Sequence, residues 1–165
     1  MRFLPVKKEI RFVFFTGKAM LSLQDRKEGK MHYTPEQLKE FINENDTFGK
    51  SNAIQITHLE EGYAEAELQV NPNSMNAVHT VQGGAIFTLA DMAFAGAANS
   101  FGDKCVAMSA AVSFIRPGTG KKLFAKAKVI SKGKRSCVVD VEILSEEEKL
   151  LAKLQITGFF FEKGA

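Results

Sequence analysis

The chain has 165 residues, enough for a real core in what is most simply a single domain. Apolar residues make up 45% and charged residues 25%, ordinary proportions for a soluble globular protein. A net charge of +3 is too small to argue for a nucleic-acid partner, although it suits an anionic small ligand.

The first thirty residues stand apart. Phe12-Val13-Phe14-Phe15 is apolar, but Arg11 and Lys18 bracket it, so the run is too short to span a bilayer and too broken by charge for a signal peptide. Asp25-Arg26-Lys27-Glu28-Gly29-Lys30 reads as a solvated linker. Residues 1–30 are expected to lie outside the fold, with Met31 a candidate true start and residues 31–165 the domain. Cys105 and Cys137 form no disulfide framework and nothing suggests export, so reduced thiols in a cytoplasm are expected. His32, His58 and His79 are scattered without metal-ligand spacing, and no cofactor is expected.

Thr34-Pro35-Glu36-Gln37 predicts a helix start, with threonine as N-cap, proline at the first helical position and glutamine placed for a capping box. That short helix ends near Asn45-Asp46, and Gly49 follows in a loop. Alternation at Ile54, Ile56 and His58, then at Ala64, Ala66, Leu68 and Val70, predicts two antiparallel strands about the Glu60-Glu61-Gly62 turn. Pro72 ends the second strand, and an irregular stretch leads to Gly83-Gly84.

There an almost wholly apolar helix begins, running to about Ser100, with Ile86, Leu89, Ala90, Ala93, Phe94 and Ala97 at helical spacing. One carboxylate, Asp91, interrupts it. Such a group is costly in apolar surroundings unless it lies at a wet edge, is satisfied by a neighbour, or is used. Beyond the helix the period returns to two, predicting strands over 105–115, 123–131, 136–144 and 149–161, separated by turn compositions. One long helix and six strands fit an α+β architecture, the helix lying across one face of an antiparallel sheet. So apolar a helix would leave part of itself exposed on one sheet, so a dimer joining two sheets edge to edge is expected.

The blocks Gly83-Gly84, Leu89-Ala90-Asp91, Ala97-Ala98-Asn99-Ser100 and Phe114-Ile115-Arg116-Pro117-Gly118 occur in one order. With the segment from Asn76 they make the chain resemble the hotdog-fold acyl-CoA thioesterases of the phenylacetate-degradation (PaaI) type, over roughly residues 34–162. The resemblance implies a hotdog fold, an acyl-CoA substrate and a homodimer or a dimer-of-dimers tetramer. It implies no nucleic-acid or membrane partner. It puts the catalytic carboxylate on Asp91, as nucleophile or as base for water, and the oxyanion-binding backbone N–H on Gly83, with Gly84 beside it. It puts an amide near the reacting groups on Asn76 and a hydroxyl of the following strand on Ser109. The family commonly has histidine where this chain has Gln82, a side chain that still forms hydrogen bonds but cannot titrate near neutrality.

Elementary chemistry agrees with these roles. A helix N-terminus offers unpaired N–H groups and partial positive charge to a developing oxyanion. Gly83 and Asp91 are eight residues apart, so on one helix their backbones stand about 12 Å apart. One carbonyl cannot easily touch both, so if both act at one thioester they should come from different subunits. Arg116, Lys132, Lys134 and Arg135 are the basic groups placed to meet the phosphates of coenzyme A, or simply to be solvated. Two other activities remain open on this fold: a hydratase or dehydratase of enoyl or hydroxyacyl thioesters, and a non-catalytic acyl-CoA binding protein.

Overall fold

The computed structural model describes residues 33–161. The segment 1–30 and the candidate start Met31 lie outside the described residues. Helix α1 spans Pro35–Asn45, and its capping box forms: Gln37 N–H donates to the Thr34 hydroxyl, and Thr34 N–H donates to the Gln37 side chain. A second helix follows at once, α2, Thr47–Ser51. Gly49, expected in a loop, therefore lies inside a helical turn and is buried. Five residues are too few to display a helical period, which is why the sequence pattern does not reveal this element.

Six strands complete the sheet: β1 Ile54–Glu60, β2 Tyr63–Gln69, β3 Cys105–Phe114, β4 Lys122–Lys132, β5 Ser136–Leu144 and β6 Leu150–Phe160. All pairings are antiparallel, in the spatial order β1-β2-β4-β5-β6-β3. Between β2 and β3 runs α3, Gly83–Asn99, which carries the chain from the second strand of the sheet to its far edge. It lies against all six strands. Among the described residues, no helix is long and apolar enough to cross a membrane.

Small residues set how closely α3 approaches. Ala64 pairs with Ala127 and Ala66 with Ala125, so the two strands form a nearly flat floor of methyl groups. Gly96 rests on that floor, where an added Cβ would come within 2.9 Å of the Ala64 Cβ. Where the floor is lower, Phe94 fills the space, with 1% of its surface exposed. Its ring reaches Gly158 of β6, which also lies beneath the Cys105 and Cys137 sulfurs, 3.8 Å apart. These are the buried free thiols of two strands that flank β6. Interiors this closely packed respond to a single methylene.

The β3 edge is different. Beyond Cys105 every residue of the strand is exposed, including Met108 at 62% and Phe114 at 54%. The strand carries no charge and no proline, the devices that usually blunt a free edge.

Gly158→Ala should destabilise the protein by about 1–3 kcal/mol through overpacking. Its methyl would lie 2.5 Å from the Cys105 sulfur and 2.8 Å from that of Cys137. Urea titration measures the loss, and adding Cys105→Ala should recover part of it.

Candidate active site

The site begins with a loop that closes on one side chain. The Asn76 Oδ1 accepts the backbone N–H groups of Val78 and Thr80, each at 3.0 Å, and its Nδ2 donates to the Thr80 hydroxyl at 2.8 Å. His79 takes a left-handed conformation, φ 60, at the exposed tip. The loop is anchored at its far end, where Val81 N–H donates to the Gly118 carbonyl and Gln82 N–H to that of Ser74, both at 2.8 Å. Asn76, which was expected near the reacting groups, also shapes the segment that presents the helix.

Gln82 is the N-cap of α3, and its Oε1 accepts from the N–H groups of both Gly84 and Ala85. Gln82, where the resembled family commonly has histidine, is thus a capping amide, and the Gly84 N–H is committed to it. The N–H of Gly83 has no partner among the described residues. This leaves one open donor at the positive end of a seventeen-residue helix.

That donor borders a cavity of about 300 Å³ lined by Asn76, Thr80, Gly83, Phe114, Arg116 and Gly118, among others. Phe114 lies directly over Gly83, with its ring Cζ 3.2 Å from where a Cβ would sit. The absence of a side chain at position 83 thus lets the ring and a ligand both approach the backbone. Arg116 donates through Nη1 to the Leu150 carbonyl at 2.7 Å, with its guanidinium at the exposed rim. The block 114–118, of which only Arg116 was given a role from the sequence, forms one wall of this cavity.

Asp91 does not line the cavity. It lies two turns further along α3, on the half-buried stripe with Phe87, Thr88 and Ala95 that faces away from the sheet. It has no hydrogen bond or ion pair to any described residue, and burial, followed by the charge of Asp46, raises its pKa above the ordinary carboxylate value. Ser109 lies just past a bulge in the exposed β3, opposite Thr157, also outside the cavity. Of the expected catalytic residues, one chain brings Asn76 and Gly83 together and leaves Asp91 and Ser109 elsewhere.

The basic residues divide similarly. Arg116 is at the cavity. Lys132, Lys134 and Arg135 are at the β4–β5 turn, beside the opposite end of α3, about 25 Å along the helix. Lys132 lies 3.4 Å from the Asp103 carboxylate and above the rings of Phe101 and Phe160, and Arg135 lies over Phe159. Met92 and Phe94 are buried in the core, while Phe87 is half-buried on the Asp91 stripe.

Comparison with known proteins adds independent findings. The model of the family described as "Thioesterase superfamily" matches residues 79–152, which include Gly83, Asp91, Ser109 and Arg116. The acyl-coenzyme A thioesterase PaaI of Escherichia coli strain K12 is 39% identical over 110 residues, covering 66% of this chain and 79% of that protein. The solved structure of the E. coli PaaI protein from the phenylacetic acid degradation operon superposes with a TM-score of 0.75 at 33% identity, over 78% of this chain and 94% of that one. A mutant of the phenylacetic acid degradation protein PaaI from Thermus thermophilus superposes with a TM-score of 0.65 at 32% identity, over 69% of this chain and 98% of that one. The architecture is that of these hotdog-fold neighbours.

Asn76→Ala should loosen the loop that orients the helix start, at a cost of about 1–2 kcal/mol for the lost side-chain hydrogen bonds. Amide hydrogen exchange at Val78 and Thr80 should accelerate, while exchange in the core of β5 changes only by the global loss.

Proposed function

Because this chain belongs to the thioesterase superfamily, and within it matches the acyl-coenzyme A thioesterase PaaI, we propose that it hydrolyses acyl-CoA thioesters at sites shared between two subunits. Water adds to the thioester carbonyl, the C–S bond breaks, and the products are the free acid and coenzyme A. The N–H of Gly83, without a partner among the described residues and facing a cavity at a helix N-terminus, is the observation that carries this reading.

Each polar group then has a task. The Gly83 N–H binds the oxygen on which negative charge develops, and the partial positive charge of the helix end adds to it. The acid that activates water, or attacks the carbonyl itself, is Asp91 of the partner subunit. Asn76 lies at the cavity wall with an amide hydrogen to spare, and Arg116 at the rim suits a phosphate or the carboxylate product. Ser109, in the exposed strand nearest the partner, is assigned to orienting the reacting water.

Three features of the chain support the dimer. The β3 edge is long, uncharged and, among the described residues, unpaired. The α3 stripe bearing Asp91 is only half covered by its own subunit. In addition, the two reacting groups stand about 12 Å apart on one helix. Two antiparallel α3 helices that set residue 83 beside residue 91 turn about position 87. In that register the C-terminal end of each helix overhangs the loop before the other's Gly83. Lys132, Lys134 and Arg135 would then reach the mouth of the neighbouring cavity, where the phosphates of coenzyme A enter.

Substitutions that dissect the site can also test its sharing. Asp91→Asn should reduce thiol release from acyl-CoA by about 10²–10⁴-fold. Gly83→Pro removes the N–H at a position proline tolerates, and Gln82 already has the extended backbone (φ −65, ψ 138) that a residue before proline needs. It should cost about 10²–10³-fold, with Gly83→Ala as the control that keeps the N–H. Mixing the two inactive variants should restore one working site per mixed dimer. If mixing restores nothing, although the subunits exchange, the shared site is wrong. Enoyl hydration without thiol release, or binding without turnover, would replace hydrolysis by the other two activities of this fold.

A further inference from the structure

Phe114, the last residue of β3, is a large aromatic side chain that its own subunit only half covers. Its partner in the ladder is the buried Ala152, so the side chain lies on the helix side of the sheet. It does not enter the core there. Of its surface 54% is exposed, whereas Val81 and Ile86, which line the same cavity, are each 3% exposed. Instead the ring extends over the start of α3. Its three outermost atoms, Cζ, Cε1 and Cε2, lie 3.2, 3.5 and 3.8 Å from the point a Cβ would occupy at Gly83. The ring thus meets the helix start by its outer edge, beside the N–H that has no partner among the described residues.

The backbone that carries the ring is held on both sides. The N–H groups of Ile115 and Arg116 both donate to the Leu151 carbonyl, at 2.8 and 3.0 Å, and the Gly118 carbonyl accepts from the Val81 N–H at 2.8 Å. Pro117 between them has a fixed φ. The ring can turn about its own side-chain bonds, but its base cannot leave the helix start without breaking this strand end. The next two N–H groups of α3 are taken by the Gln82 amide. An oxygen that binds at this helix start therefore binds at Gly83, next to the ring.

A carbonyl oxygen held there sits about 2.9 Å from the nitrogen. Its carbon is about 1.2 Å further on, and a carbon bonded to that one about 1.5 Å beyond. The group on the ring's side of the carbonyl carbon thus comes into contact with Phe114. The other apolar walls of the cavity are Val81, Ile86, Ile115 and Pro117, which suit hydrocarbon better than the amide-bearing arm of coenzyme A. A carbon added to Gly83 would already press the ring edge at 3.2 Å, and a branch on an acyl group bound beside it meets the same edge.

We infer that Phe114 is a specificity-determining residue: its ring edge is the wall along which the α-carbon of the acyl group passes, admitting an unbranched α-carbon and excluding one with an extra methyl group. This deepens the hydrolysis proposed above and rests on Gly83 as the oxyanion donor.

Butanoyl-CoA and isobutanoyl-CoA have the same composition and differ only in branching at the α-carbon. The unaltered protein should cleave the straight isomer with a kcat/KM about tenfold higher or more. Phe114→Ala should reduce that preference about tenfold, chiefly by raising the rate on the branched isomer, and Phe114→Leu by a smaller factor. Thiol release measures both, and urea titration checks that each variant is folded. No preference in the unaltered protein, or the same preference in both variants, overturns the inference. So does an equal fall for the two isomers, which would put the thiol arm and not the acyl group against the ring. If neither isomer is cleaved, the proposed function fails, and calorimetry with the two ketone analogues, in which a methylene group replaces the thioester sulfur, still reads the preference from binding. Failure of both analogues to bind overturns the two proposals together.

Discussion

Among the described residues the long helix leaves two polar groups without a partner, and everything else about the proposed site depends on that. Its first N–H opens onto a cavity, and its one carboxylate faces away from the sheet without a partner. Neither is an accident of a wet surface. Gln82 satisfies the next two N–H groups and stops short of Gly83, and the Asp91 stripe is half-buried. Unpaired polar groups in such positions cost stability. The fold tolerates them at a site whose substrate and second subunit would provide the missing partners.

The sheet is built to hold that helix at a set height. Alanines of β2 and β4 bring it close at Gly96, and Gly158 makes room for Phe94 and two sulfurs at the other side. A helix located by rigid methyl contacts cannot slide to relieve strain. Its N-terminus is held as firmly, by the loop that Asn76 closes and by the Gly118 carbonyl. Preorganisation of this kind is what an oxyanion donor needs, because a donor that must reorganise during reaction loses much of its benefit.

The two short N-terminal helices pack at the margin of this scaffold. α1 and α2 contribute one buried leucine, Leu38, and one buried glycine, Gly49, a small share of the core. Gly49 is pressed against the Met92 side chain, which ties the second of them to the long helix. Burial, followed by the charge of Asp46, raises the Asp91 pKa above the ordinary carboxylate value.

All six strands and the long helix could be read from the residues, since period-two alternation and an unbroken apolar helical stripe are local signals that burial on one face imposes. Gly83 and Asp91 were equally legible, because a glycine pair at a helix start and a lone acid within it break those patterns, and the ordered blocks around them carry the family resemblance. Only the tertiary structure decided which groups share a cavity. It joined Asn76, Gly83, Phe114 and Arg116 from separate elements, put Lys132, Lys134 and Arg135 at the helix's other end, and committed the Gln82 amide to a cap. Periodicity reports which face of an element is buried, whereas the distance between side chains on different elements depends on how the whole chain packs.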